Sequence, residues 1–356
     1  MTVRVGMLAP ITHPYPPIGY GPWERVTHDL TETLVEQGCE VVLFAPEGSI
    51  TSAHLHPTVE APLVAIPADE WRRVEDSHIA TALAAAADLD LDIIHSHLHV
   101  HALALAGRWE RPMVSTLHGV AWNRELHQLL RAYAHQPFVS LSDQERAFLP
   151  ELNYVATIRN GIRSEDFPMG DGQGGYLAFV GRLAPEKAPH LAVEVANRSG
   201  RPLLMAGPIE DKYLDYAGGV LRRAGRSVDF LGPLDRPELS ILLRDAAATL
   251  MPLEWDEPFG LVVVESLASG TPVIAWRRGA MPEIVDDGAT GFLVDDVEGA
   301  LSALDAVGAL SRDRIAAEAR RHFDRAVMAS SYADVYERLA LRSSPREDRR
   351  LGQRRS

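Results

Sequence analysis

The sequence has a single cysteine, Cys39, among its 356 residues. One cysteine excludes an internal disulfide framework and any zinc site built from several cysteines, and it is typical of a reducing compartment. Long apolar runs are also lacking, because no stretch approaches the ~18 uncharged apolar residues that a membrane-spanning helix requires. The N-terminal segment MTVRVGMLAPI is short, is interrupted by Pro10 and has no cleavage-site pattern, so it predicts a strand and not a signal peptide. We therefore expect a cytoplasmic protein without an integral membrane segment.

Basic residues are outnumbered by acidic ones. The chain has 35 Lys and Arg residues against 49 Asp and Glu residues, which gives a formal net charge of −14. This balance disfavours a nucleic-acid partner, whose binding needs a concentrated basic face. The hydrophobic content of 46% is ordinary for a globular protein, and the length favours two domains. Nothing in the sequence specifies an oligomeric state.

Two nucleotide-binding signatures are missing as well. The loop after the first predicted strand, YPPIGYGPWE at 15–24, is rich in Pro and Gly but is not a G-x-G-x-x-G fingerprint, which disfavours a dehydrogenase. No Asp-x-Asp pair is placed to clamp a metal ion on a nucleotide. We therefore predict no metal site.

Apolar runs alternate with helical periodicities along the chain. Strands are predicted at 3–9, 40–45, 92–95, 113–116, 138–141, 154–158, 176–180, 202–206, 228–231, 249–253, 272–275 and 291–294. Helices are predicted at 23–37, 69–87, 122–134, 187–197, 213–223, 237–246 and 312–341. This alternation predicts two Rossmann-like, doubly wound α/β domains facing a central cleft, with ligands bound outside the carboxyl ends of the strands.

The most linker-like stretch is MGDGQGG at 169–175. It predicts an N-terminal domain over 1–168. A C-terminal domain with the terminal helices is then expected over 169–341. The Arg-rich tail, 342–356, is predicted to be disordered.

The segment EWDEPFGLVVVESLASG at 254–270 places two carboxylates, Glu257 and Glu265, eight residues apart. We expect Pro258 in the first turn of a short buried helix, with Glu257 just before the helix and Glu265 one turn inside it. The unpaired N–H groups of that turn, near Phe259, Gly260 and Leu261, would attract an anion. A diphosphate held there would direct its ribose towards Glu265 and its sugar towards Glu257. The alternative is an amphipathic core helix with two solvated acids, although an unpaired acid is costly to bury.

The segment GRLAPEK at 181–187 directly follows a predicted strand. Arg182 can donate two parallel hydrogen bonds to phosphate oxygens, and Lys187 adds a second positive charge near a helix start. The alternative interpretation is a solvated basic turn.

These motifs resemble those of the family-4 retaining glycosyltransferases, which have the two-domain GT-B fold. E-P-F-G-L-V-V-V-E is similar to the family's E-x7-E motif, and G-R-L-x-x-E-K is similar to its diphosphate-binding loop. The resemblance covers most of the chain and is specific in the second half. It implies that 1–168 is the acceptor-side domain and that 169–341 is the nucleotide-sugar-binding domain. It also implies that Arg182 and Lys187 bind the donor phosphates.

The resemblance also implies roles for several glycines. Gly207 and Gly232 lie in segments, AGP and FLG, that resemble the lining of the family's nucleotide-base pocket. Gly21 matches the first position of a Gly-Gly pair that meets the donor phosphate from the opposite domain. Pro22 replaces the second glycine of that pair and removes one N–H donor.

Histidines near predicted strand ends form a further group. His118, in the segment STLHG, is similar to the family's strand-end histidine, which hydrogen-bonds the donor sugar and stabilises developing charge; the alternative is a structural histidine. His95, His97, His99 and His101 alternate, as metal ligands on one strand face would. Because these positions run past the end of a strand, we predict no metal site there. His97 is expected to line the acceptor cleft.

The resemblance implies a retaining, metal-independent, hexosyltransferase-type enzyme with Glu257 and His118 as its catalytic residues. Its co-substrate would be a nucleotide-diphospho-sugar, with a UDP- or GDP-sugar expected, and it would need no further cofactor. Its acceptor would be a hydroxyl of a small molecule or glycan. Two alternatives stay open: a nucleotide-sugar-binding protein without catalysis, and a glycoside hydrolase, which would also use paired carboxylates. Neither the nucleotide base nor the sugar is specified.

Overall fold

The computed structural model describes residues 3–98, 101–106, 111–119 and 124–342 of the chain. These residues form two compact units. The first unit contains the described residues within 3–141, 149–158 and 328–342, and the second contains residues 142–148 and 159–327. Each unit is a doubly wound α/β structure, so the predicted fold class is confirmed. The predicted disordered tail, apart from its first residue Arg342, lies outside the described residues.

The described residues of the first unit form a seven-stranded parallel sheet. Its strands are β1 (Arg4–Leu8), β2 (Glu40–Pro46), β3 (His54–Val59), β4 (Ile93–Ser96), β5 (Met113–Thr116), β6 (Phe138–Ser140) and β7 (Tyr154–Thr157). They lie in the order β3-β2-β1-β4-β5-β6-β7. Val5 and Met7 of the central strand are fully buried, as expected for a parallel strand covered on both faces. The strand order reverses between β1 and β4, the switch point near which such sheets bind ligands.

Helices α1 (Pro22–Glu36), α2 (Trp71–Asp88), α3 (Leu103–Ala106) and α4 (Arg124–Ala132) connect the strands of the first unit. Helix α1 buries the face predicted from its periodicity, with Val26, Leu30 and Leu34 in the core. It begins at Pro22, whose missing N–H costs nothing at a first helical position. It ends just before Gly38, which adopts the left-handed conformation that commonly terminates helices.

The second unit is built on a six-stranded parallel sheet of β8 (Leu177–Val180), β9 (Leu203–Ala206), β10 (Val228–Gly232), β11 (Ala248–Met251), β12 (Val273–Trp276) and β13 (Gly291–Val294). The strand order is β10-β9-β8-β11-β12-β13, so the switch point lies between β8 and β11. Leu177 pairs with Ala248 across it. Leu177, Met205 and Ile274 belong to the hydrophobic core of this unit. The buried face of the first long helix after β8 packs into the same core.

The helices of the second unit, in chain order, are α5 (Asp143–Arg146), α6 (Pro189–Ser199), α7 (Leu214–Arg223), α8 (Arg236–Asp245), α9 (Leu261–Ala268), α10 (Met281–Ile284), α11 (Val297–Ala306) and α12 (Arg312–Phe323). The final helix, α13 (Arg325–Arg342), follows at once. Asp235 caps α8, since its side chain accepts from the N–H of Glu238 while the Glu238 side chain accepts from the N–H of Asp235. In the part of the chain that the structure describes, no helix has both the length and the apolar character needed to cross a bilayer.

The structure divides the chain differently from the predicted boundary at 168/169. Residues 159–168 belong to the second unit, because Ile162 pairs with Asp324 and the Ser164 hydroxyl donates to the Asp324 carboxylate. The linker-like composition of 169–175 therefore marks a surface connection and not the boundary.

The C-terminal residues also differ from the prediction, since those from Met328 onwards belong to the first unit. Tyr332 and Tyr336 of α13 are buried in that unit. The Tyr336 hydroxyl lies 2.7 Å from Nδ1 of His95, and the Tyr332 hydroxyl lies 2.8 Å from the Thr116 hydroxyl. The predicted single helix over 312–341 is broken at Asp324, whose extended backbone ends α12 and whose carboxylate accepts the N–H of Ala326.

Several elements were not predicted, among them strand β3, the short helices α3, α5 and α10, and helix α11. Among the described strands, β3 pairs only with β2, so it lies at the edge of the sheet. It contains Pro57 and is half-exposed, so no apolar run marks it in the sequence. Helix α11 begins after Asp296, whose side chain accepts the N–H of Gly299.

Candidate active site

Four neighbouring strands of the second unit bring polar or glycine-containing segments to one edge of its sheet. Strands β10, β9, β8 and β11 lie side by side and run parallel, so their carboxyl ends share that edge. Gly232 ends β10, Gly207 follows β9, Arg182 follows β8 and Glu257 follows β11. Because β8 and β11 flank the switch point, these residues lie where doubly wound sheets bind ligands.

The glycines hold these strand ends close together. A Cβ added to Gly207 would lie 2.0 Å from the carbonyl oxygen of Gly181, and Gly207 has a φ of +142°. The N–H of Gly207 also donates to the carbonyl of Gly232 at 2.8 Å. Glycine at position 207 is therefore required both by the close approach of the two backbones and by its positive φ.

The Arg182 side chain lies between two carboxylates. Its Nη2 donates to Glu186 at 2.9 Å, and its Nη1 donates to Glu210. Glu186 is in the same loop, whereas Glu210 comes from the loop after β9. The Arg182 side chain is 19% exposed, so its charge is partly buried and is neutralised by these acids.

Lys187 pairs with Glu257 across 70 residues of sequence, its ammonium donating to Oε2 of that carboxylate. The Lys187 Nζ also lies 4.6 Å from the centroid of the Trp255 ring, within range of a cation–π interaction. The loop around Gly279 holds the backbone of Glu257 in place. The N–H of Ala280 donates to the Glu257 carbonyl at 2.8 Å, and a Cβ added to Gly279 would lie 2.3 Å from the Glu257 nitrogen. The two motifs singled out in the sequence are thus joined by an ion pair.

Helix α9 begins later than predicted. Gly260 is its N-cap, with a left-handed φ of 93°, and the first helical residue is Leu261. The prediction that Pro258 occupies the first turn is therefore wrong, because the left-handed Gly260 separates it from the helix. Glu257 still precedes the helix, and Glu265 is still one turn inside it.

The first turn of α9 has N–H groups for which the helix itself offers no acceptor. The Phe259 side chain is buried, and its ring centroid lies 6.1 Å from that of Phe323. A ligand could therefore contact Phe259 only through its backbone. Glu257 and Glu265 are both nearly buried, at 7% and 8% exposure. Glu265 is therefore not the solvated acid of the alternative interpretation.

In the first unit, Gly21 is the N-cap of α1 and precedes Pro22 at the first helical position. Its φ of −163° is ordinary extended backbone, so the backbone conformation does not require glycine here. The lack of room for a side chain does. A Cβ at position 21 would lie 2.9 Å from Cβ of Pro17. Gly21 thus lies at the carboxyl side of β1, beside the switch point of that sheet.

His118 follows β5 and is buried, with its ring against those of Trp23 and His97. The Nε2 atom of His118 lies 2.8 Å from Nδ1 of His97, and the Trp23 and His118 ring centroids are 5.8 Å apart. Because an imidazole–imidazole hydrogen bond needs one donor and one acceptor, each ring constrains the protonation of the other. The pairing of His97 with His118 could not be predicted from sequence.

The alternating histidines do not share one environment. His95 is fully buried between Tyr336 and Thr116, each 2.7 Å from one of its ring nitrogens. Burial, and to a smaller extent the charge of His118, lowers the pKa of His95 to about 3, so this ring is neutral. His101 instead bonds to Glu75 near the surface, and His99 lies outside the described residues. Among the described residues, no group of three or more His, Cys, Asp or Glu side chains is arranged to hold a metal ion.

Two family models match successive parts of the chain. Residues 23–165 match the model described as Glycosyltransferase Family 4, and residues 170–327 match the model described as Glycosyl transferases group 1. The chain belongs to the family-4 glycosyltransferases. The family resemblance inferred from the E-x7-E and G-R-L-x-x-E-K motifs is therefore confirmed.

Curated relatives of this family-4 chain include two mycobacterial enzymes. Glycogen synthase of Mycobacterium tuberculosis is 32% identical over 280 residues, which are 68% of this chain and 66% of that protein. D-inositol 3-phosphate glycosyltransferase of Mycobacterium bovis is 38% identical over 128 residues, which are 34% of this chain and 26% of that protein. The chain thus matches about two thirds of the length of the first relative and about a quarter of the second.

Solved structures share the fold of this family-4 chain over nearly its whole length. Sucrose-phosphate synthase from Thermosynechococcus elongatus has a TM-score of 0.79 at 19% identity, covering 95% of this chain and 99% of its own. AviGT4, a glycosyltransferase involved in avilamycin A biosynthesis, has a TM-score of 0.72 at 24% identity, covering 95% and 98%. HepE of Anabaena, solved with UDP-glucose, has a TM-score of 0.70 at 18% identity, covering 94% and 100%. At these identities the likeness supports the GT-B fold alone.

The sequence singles out Arg182, Lys187, Gly207, Gly232 and Glu257 separately, and the structure brings all five to the carboxyl ends of neighbouring strands. The sequence does not predict the ion pairs of the two cations, which join Lys187 to Glu257 and Arg182 to Glu186 and Glu210. The acid in G-R-L-x-x-E-K was a signal for Glu186, which lies four residues after Arg182. Glu210 has no sequence signal, because its contact depends on how two strand-end loops meet.

Proposed function

We propose that this family-4 chain is a hexosyltransferase that transfers a sugar from a nucleotide-diphospho-sugar to an acceptor hydroxyl, with retention of the anomeric configuration. The observation that carries the proposal is the ion pair between Lys187 and Glu257, which joins the two motifs at the β8–β11 switch point. Cations beside a helix N-terminus suit an anionic diphosphate. Nearly buried carboxylates suit the hydroxyl groups of a ribose and a sugar, because hydrogen bonds to a charged acceptor are strong.

Each residue at this edge has a proposed role. Arg182, Lys187 and the first-turn N–H groups from Gly260 and Leu261 bind the diphosphate. Glu265 accepts hydrogen bonds from the ribose, and Glu257 orients the transferred sugar. The other members of the proposed donor site act mainly through backbone: Gly207 and Gly232 on the base, and Gly21 and Phe259 on the phosphates.

The proposed chemistry is a front-face displacement. The bond between the anomeric carbon and the leaving phosphate oxygen breaks, and a bond to the acceptor oxygen forms on the same face. The acceptor proton passes to the leaving phosphate, so no separate base is needed. Arg182 and Lys187 stabilise the negative charge that grows on the leaving group, and preorganised charges of this kind are commonly the largest catalytic contribution. His118 is assigned a hydrogen bond to the sugar, and no metal ion is required.

A uridine donor is the first to test. HepE of Anabaena has been solved with UDP and with UDP-glucose, and its fold resembles that of this chain. A GDP-sugar is the second candidate. The relatives that act on glycogen and on D-inositol 3-phosphate make glycans and small polyols the acceptor classes to screen.

The experiment begins with a thermal-shift panel of UDP, GDP, ADP and their sugar conjugates. The nucleotide that stabilises the chain is then offered as its sugar conjugate with glucan and inositol acceptors, and the anomeric configuration of the product is read by NMR. Transfer with retention supports the proposal. Inversion would contradict the front-face step, and cleavage of glycosides without a nucleotide donor would favour the hydrolase. Binding without turnover on every acceptor would favour a non-catalytic nucleotide-sugar-binding protein.

A further inference from the structure

The two terminal nitrogens of Arg182 contact different kinds of partner. Nη2 donates to Glu186, which lies four residues away in the same loop. Nη1 donates to Glu210, which is 28 residues away and follows a neighbouring strand. Glu186 can therefore orient the guanidinium from within its own loop, whereas Glu210 contacts the other nitrogen from outside that loop.

The Glu210 carboxylate bridges two cations. One oxygen accepts from Arg182, and the other lies 2.9 Å from Nζ of Lys212. Partial burial on its own would raise the pKa of Glu210, but the hydrogen bonds from Lys212 and Arg182 lower the pKa overall, so the group is ionised. Two cations that together hold a carboxylate would also attract a phosphate oxygen, because both groups are anionic acceptors.

The Glu210 loop is anchored beside Arg182 by backbone contacts. The N–H of Leu183 donates to the carbonyl of Pro208 at 3.1 Å, and Gly207 approaches Gly181 too closely for a Cβ. Ile209 packs against the core of the second unit. The loop backbone is therefore fixed, and only the Glu210 side chain, which is 36% exposed, has room to swing away.

We propose that Glu210 is an internal competitor for the donor diphosphate. A phosphate oxygen takes the place of the Glu210 carboxylate on Nη1 of Arg182 when the nucleotide binds, and the carboxylate returns when the nucleoside diphosphate leaves. Two anions cannot share that nitrogen without strong repulsion, so the exchange weakens nucleotide binding and speeds product release. The inference rests on the proposed role of Arg182 as a diphosphate ligand.

Glu210→Gln tests the exchange directly. Glutamine keeps the size of the side chain and removes its charge, so Arg182 is released for phosphate. We expect the dissociation constant for UDP or GDP, measured by calorimetry on the full chain, to fall by about two- to fivefold, the range of a partly exposed ion pair. The matched control is Glu298→Gln. It removes the same charge from another ion pair of the second unit, the pair between Glu298 and Arg198. The control should leave the dissociation constant unchanged.

A double variant separates exchange from a general charge effect. In an Arg182→Ala background, adding Glu210→Gln should give no further gain, because the shared nitrogen is gone. Unchanged or weaker binding by Glu210→Gln, an equal gain in Glu298→Gln, or a gain that persists without Arg182 would each overturn the inference. If wild type binds the nucleotide and Arg182→Ala weakens that binding, the donor site itself stands whatever Glu210 does. If no nucleoside diphosphate binds wild type, the proposed function and the exchange both fail.

Discussion

Lys187 and Glu257, which are 70 residues apart in sequence, form an ion pair at the switch point of the second sheet. Their side chains are only 15% and 10% exposed, so each charge depends on the other for its stabilisation. Removing either partner leaves a nearly buried charge. Substitutions at this edge must therefore be interpreted as changes to a pair.

Arg182→Ala and Lys187→Ala should each weaken binding of the nucleoside diphosphate by about 1.5–3 kcal/mol, the typical contribution of a hydrogen bond to a charged group. Each loss includes repulsion from carboxylates that are left uncompensated beside the phosphates: Glu257 in Lys187→Ala, and Glu186 and Glu210 in Arg182→Ala. Calorimetry with UDP and GDP provides the measurement. Arg198→Ala, which removes an exposed guanidinium from helix α6, is the control and should bind as wild type. Unchanged affinity in both site variants would place the phosphates elsewhere.

Sugar transfer should persist when divalent ions are removed with EDTA. The reason is that Arg182, Lys187 and the α9 N-terminus already provide positive charge for the leaving diphosphate. The measurement is the initial rate of nucleotide release with and without chelator. Activity that is lost with EDTA and restored by Mg²⁺ or Mn²⁺ would show that a metal ion supplies this charge.

The histidine pair of the first unit should act as one group. His118→Ala and His97→Ala are each expected to lower kcat by roughly 10²–10³-fold, the cost of losing one hydrogen bond to developing charge, because the 2.8 Å contact between the rings orients His118. The double variant should lose little more than either single variant, since coupled residues are non-additive. Steady-state kinetics on the three variants gives the answer. Fully multiplicative losses would mean that His97 does not act through His118.

His78 should make the stability of the first unit depend on pH. Its Nε2 lies 3.0 Å from the Ala9 carbonyl, which can only accept, so Nε2 carries the proton and Nδ1 accepts from the Thr58 hydroxyl. Burial lowers the pKa of His78 from 6.5 to about 4. The unfolded chain therefore binds more protons between these values. The contribution of the neutral ring is fully present above about pH 6.5 and is lost as the pH falls towards 4.

Urea unfolding at a series of pH values measures this effect. Wild type should lose at most roughly 3 kcal/mol through His78 over that interval, at ~1.36 kcal/mol per pKa unit. His78→Gln should show a flatter dependence, while substitution of the exposed His135 by Gln should leave the slope unchanged. Equal slopes for wild type and His78→Gln would contradict the assignment.

Much of the fold could be predicted because parallel strands are buried on both faces and appear as continuous apolar runs. Strand β5, Met113–Thr116, and strand β13, Gly291–Val294, begin and end where the sequence predicts them. Strand β3 could not be found, since an edge strand with Pro57 and two histidines has no such run. The domain boundary was misplaced because flexible composition at 169–175 does not reveal which sheet a segment packs against.

The candidate site was predicted as a set of positions but not as a set of contacts. Strand-end residues such as Arg182 and Glu257 can be placed at a sheet edge from the βαβ pattern alone. Their partners depend on strand order, which brings β11 next to β8, and on the loop after β9, which carries Glu210. The start of α9 depended on the left-handed backbone of Gly260, which a sequence does not display.

The measurement that tests the central claim most directly compares Glu257→Gln with Glu265→Gln, using nucleotide affinity and kcat for both. Glu265 is assigned the ribose, which does not react, so Glu265→Gln should weaken binding of free nucleotide and of sugar-nucleotide and raise KM. Glu257 is assigned the sugar, so Glu257→Gln should lose kcat by one to several powers of ten, at ~1.4 kcal/mol for each. Because glutamine at 257 no longer neutralises Lys187, this variant should bind free nucleotide as tightly as wild type or more tightly. Loss of nucleotide binding in Glu257→Gln with intact binding in Glu265→Gln would contradict the account, because the donor would then be docked in reverse or away from α9.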